Sequence, residues 1–453
     1  MAEQENLIST QDFILEFVNI LRYDGSSVNI KNLIIEFNYY EDIFGNVSSG
    51  DILLNDSNNL ISNLSMSGND YISFILNKPA LQCSITRIMK LYSIGKRKLA
   101  SDTNESYVIH FCSEEVLLSE QYRVSKSYKG KKVSSIVRDI CETYLNINTN
   151  FSLNSDPLRI EETKNTLNLV VPNLKPLEAI NWASTYAQVS TVNPSVFFFY
   201  HNRDGFNFKS LQTLYSLPAY KTYRYEPKNL VSDYDNRMRD ISKDYDSIIS
   251  YEIMKHFNSL QSISDGAFAN RLISIDIINQ SYNINNFDYA EHFRKTSHLN
   301  ENGLLTNAKN SKGQTLNKTP GTLRLTTSLM KTSNNPYVLS KGQNIKDIEI
   351  EKTLPTNLAE LSLINTIRLK LVLPGDPLLT VGKNINVNLP TVGLEGGKQL
   401  DRYYSGKYLI TGVRHKADQT GKFQTILEVC KESLPNPYGS YVEYKGTLAS
   451  IGI

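Results

Sequence analysis

The 453-residue sequence predicts a β-rich α+β protein of several domains. Three observations carry that prediction. Short runs rich in Ile, Val, Phe and Tyr recur along most of the chain, separated by clusters of Asn, Ser, Gly and Asp. Tyrosine (27) and phenylalanine (17) are abundant against one tryptophan, a mixture that favours strands and polar turns over long helices. One stretch, residues 126–215, switches to the apolar period of a helix.

Residues 1–125 read as a first β domain. Its strand candidates are Phe13–Arg22, Ile30–Tyr40, Asp51–Leu54, Tyr71–Leu76, Gln82–Tyr92 and Tyr107–Cys112, with turns at Phe44-Gly45-Asn46 and Ser67-Gly68-Asn69-Asp70. Strands at this spacing suit a small antiparallel barrel or sandwich.

Residues 126–215 read as an intervening α+β domain. Ser134 is placed to cap a helix reaching Leu145, with Val133, Ile136, Val137, Ile140, Cys141 and Tyr144 on one face. Leu167–Val171 is a strand, ended by Pro172-Asn173. Pro176 sits at the first position of a second helix, where its missing N–H does no harm. Val196–His201 and Phe206–Leu211 flank a turn at Asn202-Arg203-Asp204-Gly205.

Residues 216–298 and 346–433 read as one discontinuous second β domain. Ile248–Met254 and Leu272–Ile278 open it. A helix over Leu358–Asn365 and a strand over Ile367–Leu373 follow, and Pro374-Gly375-Asp376-Pro377 stops that strand. Leu378–Val381 and Ile385–Leu389 read as two strand pieces split by Gly382-Lys383 and closed by Pro390. Lys407–Lys416 and Lys422–Lys431 form a long hairpin, with Asp418 opening its turn and Gly421 in a left-handed position. The intervening residues 299–345, rich in Asn, Lys, Thr, Ser and Gly, read as a polar loop-rich insertion, and 434–453 as an extended tail. A weak echo between Leu33–Leu54 and Ile248–Ile278 makes two related β domains in one chain a reasonable expectation.

Composition removes several functional classes. A net charge of +2 gives no electrostatic mandate for nucleic acid or a membrane surface. Two basic clusters, Lys96-Arg97-Lys98 and Arg123 with Lys126, Lys129, Lys131 and Lys132, read as solvated faces or a protein–protein rim. No run reaches the roughly 18–20 apolar residues of a membrane-spanning helix. Residues 1–10 lack the basic start and apolar core of a secretory signal. The four cysteines, at 83, 112, 141 and 430, are irregularly spaced and read as reduced thiols. Phosphate-binding, dinucleotide, zinc-protease and nucleophile-elbow motifs are absent. Glu291, His292 and His298 lack the spacing of a helical metal pair. No metal or cofactor is therefore expected. His415, near the hairpin turn, has no nucleophile and orienting acid converging on it in sequence, so an architectural role outweighs a catalytic one.

Several stretches together resemble the central baseplate hub of contractile-tailed bacteriophages, the T4-type tail hub, which is related to the hub part of type VI secretion spike proteins. Leu373-Pro374-Gly375-Asp376-Pro377-Leu378-Leu379-Thr380-Val381-Gly382, running on to Val387-Asn388-Leu389-Pro390, is similar to the family's "P-G-D/N, L-x-V-G" element. Ser405-Gly406-Lys407-Tyr408-Leu409-Ile410-Thr411-Gly412-Val413-Arg414-His415 looks like its closing hairpin. Gly45–Asp56 and Ser67–Leu76 fit its first barrel.

The resemblance implies two tube-like antiparallel β-barrel domains per chain and a homotrimeric ring of pseudo-sixfold character. That ring would pair strand edges between neighbouring barrels, and the closing hairpin raises the question of which neighbour it meets. The ring would join a tail-tube protein to a spike, carry the tape-measure protein and genome through its lumen without sequence-specific binding, and contact baseplate wedge proteins. Its place would be the virion tail baseplate, assembled in the host cytoplasm. It would nucleate the tube and catalyse nothing. The residues carried over as structural are Pro374, Gly375, Asp376, Gly382, Pro390, Gly406, Tyr408, His415 and Gly421. Only residues 434–453 follow the hairpin, so the spike is expected to be a separate protein, with Pro435, Pro437, Tyr438 and Tyr441 as its candidate contacts. Two other readings stay open: a carbohydrate-binding tail adhesin, using exposed tyrosines as stacking surfaces, and a cell-wall hydrolase with a carboxylate pair.

Overall fold

The computed structural model describes residues 13–22, 24–64, 66, 68–101, 104–147, 156–164, 166–189, 195–225, 245–276, 280–304, 309, 311–315, 318, 320, 322–327, 350–391 and 400–435. A single 13-stranded sheet organises most of them. Twelve of its strands are labelled here in chain order: β1 Ile14–Leu21, β2 Ile34–Asp42, β3 Ser49–Asp56, β4 Tyr71–Lys78, β5 Cys83–Ser101, β6 Asn104–Cys112, β7 Ala219–Arg224, β8 Ser250–Lys255, β9 Ile367–Pro374, β10 Asn384–Asn388, β11 Gly406–Asp418 and β12 Phe423–Lys431.

The strands form two halves with one pairing plan. The first half runs β2-β3-β6-β5-β4-β1 and the second β8-β9-β12-β11-β10-β7. Each strand of the first half therefore corresponds to the strand six places later. Pairing is antiparallel throughout, except that β7 lies parallel to β10. Even an irregularity is shared: the register slips between Leu91 and Ser93 on β5 and between Ile410 and Gly412 on β11. Such bulges twist and re-aim a strand. The expected echo between Leu33–Leu54 and Ile248–Ile278 was half right. β8 does match β2, but Ala269–Asp276 pairs with Ser281–Asp288 and Thr322–Thr327 in a separate three-stranded sheet. The true second strand of the repeat is β9, displaced by the segment that builds this extra sheet.

Local chemistry accounts for the elements. β9 alternates buried and half-buried residues, as a strand with two differently covered faces must. The helix Val133–Tyr144 buries Val133, Ile136, Val137, Ile140 and Cys141 on one stripe. Pro176 opens the helix Pro176–Ser184. The helix expected over Leu358–Asn365 spans Ile350–Ile364.

Buried side chains fall into three clusters. One is built from β1–β6 together with Ala417 and Phe423. A second lies among residues 124–208. The third runs from Val196 to Leu434, and takes in Ile43 from the turn after β2.

Three local expectations are corrected. Leu378–Val381 is turn rather than strand, because Asp376 takes the Leu378 amide and the Val381 amide goes to a carboxylate on β2. The segment 299–345 contributes Asn302–Gly303, paired with Ser433–Leu434, and Thr322–Thr327, so its described part is not loop alone. For the same reason the tail does not begin at 434: Asn302 Nδ2 still donates to the Pro435 carbonyl at 3.2 Å.

Candidate functional site

The two halves meet at one seam, where β11 pairs antiparallel with β2 from Gly412 opposite Asp42 to Asp418 opposite Glu36. The closing hairpin thus meets a strand of its own chain, and His415 lies on that boundary, opposite Tyr39.

The exposed rim of the seam is charged. Arg414 Nε donates to Asn38 Oδ1 at 2.9 Å and its Nη2 to Glu36 Oε1 at 3.0 Å, while Lys416 Nζ lies 2.8 Å from Glu36 Oε2. Burial pushes the Glu36 carboxyl up, but Lys416, Asn38 and Arg414 outweigh it and hold it below its ordinary value.

The buried side is tightly fitted. His415 is stacked near Tyr39 and bonds through Nδ1 to the Thr425 hydroxyl at 3.2 Å. Burial lowers its pKa to about 3, with Arg203 adding to the effect and the Leu379 backbone opposing it, so the ring is uncharged at neutral pH. Glu41 Oε2 accepts from Thr380 Oγ1 at 2.5 Å and from the Val381 amide at 3.2 Å. Burial nevertheless raises its pKa.

The motif residues 374–382 wedge into this seam. Pro374 ends β9. A Cβ on Gly375 would stand 2.0 Å from the Phe423 ring, so no larger residue fits. The Asp376 carboxylate accepts from the Leu378 amide and from the Tyr220 hydroxyl, and its own amide donates to Thr425 Oγ1. Gly382 has φ +83° and faces the Tyr200 hydroxyl, which a Cβ would approach to 2.5 Å. Asn202 Nδ2 donates to the Val381 carbonyl, so the same wedge contacts the middle of the chain.

The remaining motif residues lie away from the wedge. Pro390 makes an isolated bridge with Leu400. Gly406, at φ +131°, leaves room for Asn300, which bonds both the amide and carbonyl of Lys407. Tyr408 is buried and donates to the Tyr404 carbonyl. The Lys431 ammonium lies 4.7 Å above its ring and donates to the Tyr403 and Ser405 carbonyls. Gly421 has φ +78° in the hairpin turn, where the Asp418 carboxylate takes the Thr420 and Lys422 amides. Of the four tail residues, Pro437, Tyr438 and Tyr441 lie outside the described residues, and Pro435 sits half-buried against Asn302.

One cluster escaped the sequence reading. His201 Nε2 lies 2.6 Å from Asp156 Oδ2, and its Nδ1 lies 2.9 Å from Ser48 Oγ and 3.1 Å from Ser113 Oγ. Arg87 joins the group, donating to the Asn202 and Arg203 carbonyls and to Asp156. The composition matches a hydrolytic triad, but Ser48, Ser113 and His201 are all buried and no substrate could reach the hydroxyls. The cluster fastens β3 and β5 to the strand Phe197–Asn202. Burial lowers the His201 pKa. Burial acts the other way on Asp156, but the His201 hydrogen bond and the Arg87 charge prevail and lower it. Partners separated by 45 to 153 positions leave no local signal.

Elsewhere the polar candidates are also spent on packing. His292 faces Glu360 and His298 faces Glu432. Among the described residues no group of His, Cys, Asp and Glu could hold a metal ion, and the four cysteines are free thiols. In the basic clusters, Arg97 pairs with Glu105, Lys126 with Asp139 and Lys132 with Glu162.

No protein-family model matches the chain. A curated relative, the probable baseplate hub protein gp334 of Vibrio phage KVP40, is 20% identical over 441 residues, covering 96% of this chain and 98% of its own length. Nearly the whole chain is thus similar to a phage baseplate hub protein. The fold of this chain is shared by a tail protein from Neisseria meningitidis MC58 (TM-score 0.51, 11% identity, 92% of this chain and 96% of that one). It is shared equally by the 43 kDa tail protein of prophage MuSo2 from Shewanella oneidensis (TM-score 0.51, 7% identity, 93% and 100%).

Proposed function

We propose that this protein is a baseplate hub, and that three copies build the central ring of a contractile tail. Residues 1–125 form a first tube-like β domain, 126–215 an α+β domain, and 216–298 with 346–433 a second tube-like domain. The ring joins the tail tube to a separate spike, nucleates tube assembly, and lets the tape-measure protein and genome through its lumen. Wedge proteins contact its outside, and it has no reaction of its own.

The observation that carries this reading is the doubled pairing plan, in which each strand of the first half has its counterpart six strands later. Two similar halves per chain give six similar units in a trimer, so one face can match a sixfold tube while threefold symmetry is kept for a spike. Neither the adhesin nor the hydrolase reading gains support: among the described residues the hydrolase-like cluster of Ser48, Ser113 and His201 is buried, and several of the tyrosines are core residues. Imaging of purified particles tests the proposal. A threefold ring with an open lumen that caps tail-tube protein is expected; a closed monomer that binds neither tube nor spike overturns it.

A further inference from the structure

Away from the main sheet, the strand Ser127–Lys132 pairs antiparallel with Thr166–Val170 in a separate two-stranded sheet. Its other edge is unpaired among the described residues. The register slips between Leu167 and Leu169, so Lys129 and Gly130 stand together opposite Asn168. Gly130 takes φ +60°, and its amide donates to Asn168 Oδ1 at 2.8 Å. Such a bulge breaks the alternation of a strand. Lys129, Gly130 and Lys131 are accordingly exposed in succession, between buried Tyr128 and half-buried Lys132.

The charges around the bulge are unevenly spent. Lys126 Nζ lies 2.7 Å from Asp139 Oδ2, and Lys132 Nζ lies 2.8 Å from Glu162 Oε2. Tyr128 donates its hydroxyl to the same Asp139 oxygen. Lys129 and Lys131 sit between these two pairs, with no carboxylate in ion-pair reach among the described residues. Just past the strand, Ser134 and Thr163 exchange hydrogen bonds, the amide of each donating to the hydroxyl of the other. The strand is thus pinned at its end while its two central cations stay unpaired.

We propose that this strand is a docking site for an extended acidic segment of another protein. The segment adds to the open edge of Ser127–Lys132. Its backbone supplies the affinity of strand addition, and its carboxylates meet Lys129 and Lys131. Charge selects this class of partner. Free positive charge is confined to the centre of one strand and bounded on either side by a carboxylate. Nucleic-acid affinity depends on several phosphate contacts, and a phosphate backbone laid along the strand would meet Asp139 and Glu162. An extended polypeptide needs only alternate acidic residues, which share one face. The site lies outside both halves of the main sheet, so it stands whether or not three copies form a ring.

Fluorescence anisotropy of the full-length chain with a labelled peptide alternating Glu and Thr tests the site. Binding at low salt that fades as salt rises is expected. Lys129→Glu with Lys131→Glu should weaken it about tenfold, with an unchanged melting temperature. Lys96→Glu with Lys98→Glu, in the other basic cluster, should leave it unaltered. A peptide alternating Glu and Pro has the same charge but lacks every second amide, and should also bind about tenfold more weakly. No binding of the Glu–Thr peptide, or equal loss in the two double variants, overturns the site. Equal binding of the Glu–Pro peptide overturns strand addition. Tighter binding of a single-stranded oligonucleotide, lost in Lys129→Glu with Lys131→Glu, overturns the class of partner.

Discussion

The imidazole of His415 lies 6.3 Å from the phenol ring of Tyr39, centroid to centroid, with the planes 15° apart. The two residues are 376 positions apart in sequence and are Cα partners in the seam. Sealed there, His415 stays neutral. Its pKa of about 3 in the fold, against about 6.5 unfolded, makes its contribution to stability complete above pH 6.5. That contribution is lost as pH falls from 6.5 towards 3, at about 1.4 kcal/mol per unit. His415→Gln should flatten this part of the acid unfolding curve, measured by circular dichroism against pH.

Lys431 gives a slope of the same sign in a higher pH window. Burial lowers its pKa to about 7, so between pH 7 and about 9 the unfolded chain holds a proton that the folded one has released. Stability should rise through this window by about 1.4 kcal/mol per unit at most. Lys431→Met removes the rise. Denaturant titrations at pH 7, 8 and 9 measure it.

Gly375→Ala places a methyl group into the Phe423 ring. Overpacking of this kind costs about 1–3 kcal/mol. Thermal melting should show the loss, and Phe423→Leu should recover part of it in the double variant.

Arg87 donates through Nη2 to the carbonyls of Asn202 and Arg203 and through Nη1 to Asp156, a planar spread of donors that lysine cannot reproduce. Arg87→Lys should destabilise the fold by about 1–3 kcal/mol. Hydrogen exchange should increase first where β5 meets the strand Phe197–Asn202.

For the tail, truncation belongs after Pro435, since Ser433–Leu434 is paired with Asn302–Gly303. A chain ending there should fold with unchanged melting temperature and lose spike recruitment, measured by co-purification. Recruitment at full strength would remove the tail from the spike contact.

Sequence alone determined the local pieces. Alternation placed β9, the 3.6 period placed Val133–Tyr144, and Asp418 with Gly421 placed the hairpin turn, because each signal is complete within about a dozen residues. The turn at 378–381 could not be read this way. Its amides are taken by Asp376 nearby and by Glu41 from the far half of the chain. Tertiary structure alone decided that β9 rather than Ala269–Asp276 is the second strand of the repeat, that Ser48, Asp156 and His201 converge, and that β11 closes on β2. A strand's side-chain pattern shows which face is buried but not which edge it will meet. Edge pairing is made by backbone groups that every residue carries, so the partner is chosen only when the whole sheet assembles.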